Sequence, residues 1–500
     1  MTRPAPAVLV AGTGSDAGKT TLVAALCRLL VDRGIDVAPF KAQNMALNSA
    51  VASDGGEIGR AQALQAAAAR IPATTAMNPI LLKPSGDRTS HVVVDGRPLQ
   101  ETDAVAYGPL TTRLWPHVRR ALADLRARHE LVVCEGAGGV AEPNLRDRDL
   151  VNMGLAADAD LPVVVVGDIE RGGVFASLYG SWALQPDEDR QRIRGFVINR
   201  FRGDASLLDP AIEDLTARTG VPVLGVVPWV DGLGLDAEDS LGLRDLDGGP
   251  PVGEEGLRIA VLRLQRISNF TDIDALGREP GVTVTFTESA AAVADADLVV
   301  IPGTRATVAD LDRLRQLGLD RALRDRATAG GPILGICGGY QMLGRAITDT
   351  VEGGGGTVAG LDLLPVETTF HVDKVVHRVS GDAPALGTDA SGYEIRHGRT
   401  TVDVEAEVLV RDDDGRPGGV VAGPVMGTSW HGLADHDDAR RALLRWVGEQ
   451  RGRRFVPGSV PAAARREADL DRLAAVVADH VDVDRLLSLA GWRAVPSVGR

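Results

Sequence analysis

Gly12-Thr13-Gly14-Ser15-Asp16-Ala17-Gly18-Lys19-Thr20 is the stretch on which the fold turns. An apolar run at 8–11 leads straight into it, and residues 21–30 continue from it with the period of an amphipathic helix. Strand, glycine-rich loop and helix in that order make a phosphate-binding loop. Its backbone N–H groups face an anion, and the helix N-terminus adds partial positive charge. Lys19 is placed to reach the outer phosphates of a nucleotide and the Thr20 hydroxyl to ligate magnesium. Gly12, Thr13, Gly14, Asp16, Ala17, Gly18, Lys19 and Thr20 are therefore the expected contacts to ATP. The loop is a variant, because the usual spacing puts glycine where Thr13 stands and here Gly12 comes one residue earlier.

Outward from this loop, short Val/Ile/Leu runs at 131–134, 163–166, 196–198 and 223–227 alternate with longer helical segments, the rhythm of a parallel sheet covered on both faces. From 231 to 256 Gly, Asp, Glu and Pro dominate, as in an interdomain connection. Strand-like runs resume at 259–264, 282–286, 298–301 and 333–336, with a helix expected over 306–326. Residues 366–376 and 402–410 alternate like strands with one exposed face, 353–356 reads as a loop, and the residues after 462 look helical and charged. The expected fold class is α/β with two parallel-sheet domains. Residues 1–230 form a nucleotide-binding domain, 231–256 a linker, 257–450 a second domain and 451–500 a helical appendage.

Composition narrows the function. The chain has 500 residues, 54 of them Lys or Arg and 68 Asp or Glu, for a net charge of −14; 44% are hydrophobic and 24% charged. That is a globular composition. The acidic balance, with arginines scattered among carboxylates, argues against nucleic acid and anionic membrane as partners. Cys27, Cys134 and Cys337 are too few for a disulfide framework, which suggests a reducing cytoplasm. The beginning of the sequence lacks the basic and apolar regions of a signal peptide, and the apolar runs fall well short of the ~20 residues of a membrane span. The expectation is a cytoplasmic protein, neither exported nor anchored.

A magnesium nucleotide also needs carboxylates. Glu135, in Cys134-Glu135-Gly136, stands at a strand's C-terminal end, where ligands bind in open α/β sheets, and is the expected second metal ligand beside Thr20. Asp54 and Glu57 are weaker metal candidates on an expected loop. Lys41, after the run at 37–40, is placed to neutralise charge on a transferring phosphoryl group, with an ordinary surface lysine as the alternative.

A second chemistry is written at Gly335-Ile336-Cys337-Gly338-Gly339. Strand, G-x-C-x-G and helix form a nucleophile elbow, a sharp turn that lifts a thiol above the sheet and near a helix N-terminus. Cys27 and Cys134 read instead as small buried residues. A thiolate needs a base, and His431, downstream in the same α/β domain, is the candidate. Backbone N–H groups near Gly303 and of Gly338 are the expected oxyanion hole. The spacing of His371, Asp373 and His377 fits no standard metal site.

Taken together, the chain resembles the cobyric acid synthase family across essentially its whole length. The carrying segments are 12–20, Phe40-Lys41-Ala42-Gln43-Asn44-Met45 with Asn48-Ser49, the stretch Asp54-Gly55-Gly56-Glu57 continuing to 62, Asp168-Ile169-Glu170-Arg171-Gly172-Gly173, 335–343, and Gly392-Tyr393-Glu394-Ile395. The N-terminal half is similar to dethiobiotin synthetase and its P-loop relatives, and the C-terminal half to class I glutamine amidotransferases. The resemblance implies a glutamine-hydrolysing ligase that uses ATP and magnesium to amidate four peripheral carboxylates of adenosylcobyrinic acid a,c-diamide. It implies that Asn199 contacts adenine and that Gln43, Asn44, Asp168, Arg171 and Gly172 lie near the acceptor. Class I amidotransferases usually carry a glutamate two residues after the histidine, where this chain has Leu433. The expected site is then a Cys/His dyad whose imidazole is oriented by another group, a backbone carbonyl being one option. Two alternatives stay open: amidation of another acid, as in the sister a,c-diamide synthases or on a cell-wall precursor, and a P-loop regulatory ATPase with an inactive second domain. Self-association also stays open.

Overall fold

The computed structural model describes residues 4–84, 89–234, 245–352 and 355–492. Part of the expected linker and half of the expected loop at 353–356 lie outside the described residues.

The strand Ala7–Gly12 is the centre of the first sheet because every one of its side chains can be buried. Val8 and Val10 point into an apolar cluster with the helix Lys19–Asp32, while Ala7, Leu9 and Ala11 join a second cluster with the helix Ala104–Arg128. A strand that must be apolar on both faces is what a doubly covered parallel sheet requires. Six parallel strands result, in the order Val223–Pro228, Ile193–Phe201, Val163–Asp168, Ala7–Gly12, Leu131–Glu135 and Val37–Phe40. The phosphate loop therefore leaves the middle of the sheet, with Glu135 at the C-terminal end of the adjacent strand.

The second sheet has a parallel centre, Val282–Thr287, Leu257–Leu262, Leu298–Ile301, Ile333–Ile336 and Val425–Thr428. Beyond Val425–Thr428 it continues through the antiparallel strands Pro417–Ala422, Glu407–Asp412 and the 18-residue strand Val366–Ala383, which pairs in turn with Thr388–Val402. The sheet is thus parallel where the thiol sits and antiparallel at its far edge. The expected helix over 306–326 is divided into Thr307–Gln316 and Leu319–Thr328, because Gly318 adopts φ +70. Within the expected linker, Leu246–Asp247 adds an antiparallel edge strand to the second sheet.

Two features were not visible in the sequence pattern. Between Val37–Phe40 and Ala104–Arg128 the chain builds a four-stranded sheet, Gln43–Met45, Ile80–Pro84, Thr89–Val94 and Arg97–Asp103, and a small ladder of Ser49–Val51 with Glu57–Gly59. The helices Ala462–His480 and Val483–Ala490 return to the nucleotide-binding half. Leu470, Leu473, Val477, Leu486 and Leu487 pack into the cluster of Leu22, Val23, Leu26 and Leu30, and the fully buried Arg28 pairs with Glu467 at 2.6 Å. No helix among the described residues is long and apolar enough to cross a membrane.

Candidate functional site

The phosphate loop turns through left-handed backbone at Asp16 and Gly18. Gly18 has φ +92, and a Cβ there would lie 2.0 Å from Asn199 Nδ2, so glycine is required both by conformation and by space. Asn199, at the end of the strand Ile193–Phe201, donates to the Ala17 carbonyl at 3.0 Å, which puts it against the loop. Lys19 folds back over the loop, with Nζ donating to the carbonyls of Gly14 (2.8 Å) and Gly138 (3.1 Å). Arg200 ties the loop to the next strand end by pairing with Asp16 and Asp168, each at 2.9 Å.

Glu135 is the hub of this region. It is fully buried, and Oε1 accepts from Thr20 Oγ1 at 2.7 Å and from Lys41 Nζ at 2.9 Å, while Gln65 donates to Oε2. Three separate segments thus converge on one carboxylate beside the loop. Gln65, equally buried, carried no motif in the sequence. A hydroxyl and a carboxylate 2.7 Å apart are a hard oxygen set of the kind magnesium takes together with phosphates and water. Among the described residues no cluster of three His, Cys, Asp or Glu forms a self-sufficient metal cage.

Asp54 and Glu57 lie apart from the Thr20–Glu135 pair and have other partners. Asp54 lies on an exposed turn, where it accepts from the backbone and hydroxyl of Thr75. Glu57 is fully buried and engaged by Lys83 and Lys374, each at 2.5 Å, and by Ser49 at 2.7 Å. Burial alone would raise its pKa, but the two ammonium groups outweigh it and hold the carboxyl well below its usual range. Glu57 is a charge anchor between the two halves, since Lys374 belongs to the long strand Val366–Ala383.

Lys19, Lys41, Gly14 and Asp16 open onto a cavity of about 1210 Å³. Gln43, Asn44, Met45 and Leu47 from the inserted sheet and Arg146 to Asn152 from the opposite side complete its walls. Tyr107 hydrogen-bonds Gln43, and Asn44 donates to Gln62 at 3.0 Å. Asp168, Arg171 and Gly172 do not line this cavity. Arg171 and Gly172 occupy an exposed turn, and Asp168 meets the phosphate loop through Arg200.

At the other end, Cys337 sits between the strand Ile333–Ile336 and the helix Gly338–Leu343 with φ 49 and ψ −104. A non-glycine residue held there costs about 1–3 kcal/mol and marks a constrained position. Burial pushes the Cys134 thiol up to about 12 and Cys27 higher still, as inert core residues behave. Cys337, 8% exposed, instead lies close enough to His431 to act on its charge. Gly303 packs on that ring, a Cβ there falling 3.2 Å from His431 Cε1, and Gly338 follows the thiol as the first helical residue. Cys337, His431, Gly303 and Gly338 are thus brought together.

The group that orients His431 is a side chain rather than a backbone carbonyl. Asp272, on the helix Thr271–Gly277, has Oδ2 2.7 Å from His431 Nδ1, and its Oδ1 accepts from Gly432 N–H at 2.7 Å. Tyr393 stacks on the imidazole at 5.3 Å between ring centres. Burial disfavours charge on His431, but Asp272 and Cys337 more than reverse this and raise it to about 10. Asp272 lies 159 residues from His431, and no spacing in the sequence could have connected them. Leu433 occupies the usual glutamate position and is buried.

Two family models match this chain: the CobQ/CobB/MinD/ParA nucleotide binding domain over residues 8–241 and the CobB/CobQ-like glutamine amidotransferase domain over 258–439. It is 52% identical to the cobyric acid synthase of Frankia casuarinae, over 96% of each chain. It is also 52% identical to that of Mycolicibacterium paratuberculosis (97% of this chain, 96% of the relative), and 51% identical to that of Streptomyces avermitilis (98% and 96%). The chain belongs to the cobyric acid synthase family and, with it, to the glutamine-hydrolysing ligases of cobalamin biosynthesis.

Proposed function

We propose that the chain amidates the b, d, e and g carboxylates of adenosylcobyrinic acid a,c-diamide, using ATP at the Lys19 loop and ammonia released from glutamine at Cys337. The observation that carries this reading is the pairing, in one chain, of a Cys337–His431–Asp272 line with a phosphate loop that opens onto a cavity large enough for more than a nucleotide.

A carboxylate resists attack by ammonia because its own charge deactivates the carbonyl. In the proposed first step an acceptor carboxylate oxygen attacks the γ-phosphorus, the bond to ADP breaks, and an acyl phosphate forms. Lys19 neutralises charge on the transferring group, Lys41 supports it, and Asn199 lies close enough to the loop for the adenine side. Thr20 and Glu135 would hold magnesium, which supplies positive charge against the phosphates. Gln43 and Asn44, on the cavity wall, face the acceptor in this reading.

At the other site the Cys337 thiolate attacks the glutamine side-chain carbonyl, and N–H groups near Gly303 and Gly338 receive the oxyanion. The His431 imidazolium gives its proton to the leaving nitrogen, ammonia departs, and a glutamyl thioester remains. His431, now neutral, takes a proton from water, whose oxygen attacks the thioester; glutamate leaves and the thiolate is restored. Ammonia then displaces phosphate from the acyl phosphate. In this reading 1–230 activates the acid, 231–256 links the halves and 257–450 supplies ammonia, while the helices Ala462–His480 and Val483–Ala490 of the 451–500 segment pack on the nucleotide half. A reducing cytoplasm accords with three unpaired thiols.

The test is mass spectrometry of the acceptor incubated with enzyme, ATP, magnesium and glutamine. Four successive conversions of carboxylate to amide are expected. An acceptor that returns unchanged while glutamine is hydrolysed would exclude it as the substrate.

A further inference from the structure

Residues Asn48 and Ser49 help carry the family resemblance, yet neither lines the cavity. They lie on the seam between the two halves. Ser49 N–H donates to Asn269 Oδ1 at 2.9 Å, and Phe270 N–H donates to Asn48 Oδ1 at 3.2 Å. Each asparagine thus accepts a backbone N–H from the opposite half, a reciprocal clamp. Both are buried, at 1% and 3% exposure, where an unmatched amide would be costly.

What the clamp holds is the start of the helix that bears Asp272. Asn269 has φ +50, the left-handed region, and its carbonyl accepts from Asp272 N–H at 3.0 Å. The Phe270 carbonyl accepts from Ile273 N–H at 3.0 Å. One residue earlier, Ser268 N–H donates to the Gly303 carbonyl at 2.9 Å. The short segment 268–272 therefore touches the oxyanion loop, the opposite half and His431 in succession. On the other side, Gln43, Asn44, Met45, Ala46 and Leu47, all on the cavity wall, run directly into Asn48. The segment that positions Asp272 against His431 is thus held by Gly303 of its own half and by Asn48 and Ser49 of the nucleotide-binding half.

We propose that Asn48 and Asn269 are positioning residues for glutamine hydrolysis, through which the docked nucleotide-binding half holds Asp272 against His431. The proposal rests on the reading of Cys337 as the glutaminase nucleophile. It implies that the thiol site reaches full activity only with the seam intact, although Asn48 and Asn269 need not touch glutamine themselves.

The test uses the full chain and three assays: glutamine hydrolysis across pH, amidation driven by glutamine, and amidation driven by ammonium at raised pH. Asn48→Ala and Asn269→Gly each remove one accepting oxygen, and the second keeps the left-handed backbone without strain. Each should lower kcat for glutamine hydrolysis at least 10-fold with KM within about 3-fold, and should move the alkaline limb of the pH profile downward. Ammonium-driven amidation should stay within about 2-fold, which also reports a folded protein. Asn48→Asp keeps the accepting oxygen and should recover at least half the lost rate. Glutamine hydrolysis unchanged in both variants, or an equal loss with both nitrogen donors in all three, would overturn the proposal. Cys337→Ser run alongside separates the failures: if it still hydrolyses glutamine, the reading of the thiol is wrong, whereas its inactivity beside an active Asn48→Ala refutes the clamp alone.

Discussion

The phosphate loop and the thiol elbow are both turns from a central parallel strand into a helix, but they hold their reactive groups in opposite surroundings. Lys19 opens onto a cavity of about 1210 Å³, and its partners are backbone carbonyls of its own loop and of the adjacent glycine turn. Cys337, His431 and Asp272 are exposed by 8%, 1% and 5%, and they come from three distant segments. A nucleotide brings its own charge and needs little more than N–H groups and a cation, which one short stretch can supply. A thiolate must be created inside the protein, so a buried imidazolium and a carboxylate to sustain it must be assembled from elsewhere. The difference explains why the phosphate-binding turn is local in sequence while the thiol's partners come from distant segments.

The largest expected effect breaks the open site. Lys19→Ala should lower amide formation at least about 10³-fold with glutamine and with ammonium alike, since both nitrogen donors need the activated acid. Full activity in either assay would remove the loop from the mechanism. Cys337→Ser should be as severe with glutamine but should leave ammonium-driven amidation at raised pH intact. Equal loss in both assays would mean that the thiol does more than supply ammonia.

Asp272→Asn sharpens the comparison. With the wild-type imidazole raised to about 10, the protonated ring persists across neutrality and is lost only as pH rises through that value. Removing the carboxylate's charge lowers the pKa of His431, so the alkaline fall in glutamine hydrolysis should begin at lower pH. The rate near neutrality should drop at least about 10-fold. A profile identical to wild type would show that another group sustains the imidazolium.

The smallest effect concerns which half the C-terminal helices belong to. Glu467→Ala leaves the buried Arg28 guanidinium with Asp471 at 3.6 Å as its remaining ion-pair partner. Because Glu467 is half-exposed, the cost is modest, about 1–2 kcal/mol, visible as a melting transition lowered by a few degrees. Glutamine hydrolysis should be unaffected. A loss of hydrolysis instead would place these helices with the thiol half.

Much of the architecture could be read from local pattern. The central strands are apolar on both faces, and their spacing by helices implies a parallel sheet before any coordinate is known. The inserted sheet over 43–103 escaped this logic. Several of its strands are only three to seven residues long, and Arg97–Asp103 is mostly exposed, so neither period nor hydrophobicity marks it. The surroundings of Asp54 and Glu57 escaped that logic for a related reason. A carboxylate in a Gly-rich stretch looks alike whether it faces solvent, as Asp54 does, or two buried lysines, as Glu57 does.

By itself the sequence determined the two reactive turns, because glycine placement between a strand and a helix is a local requirement satisfied within about nine residues. Only the tertiary structure decided what charges those turns. Thr20, Lys41 and Gln65 meet on Glu135, and Asp272 reaches His431 across 159 residues. Electrostatic partnership depends on distance and burial in space, and chain separation leaves no record of either.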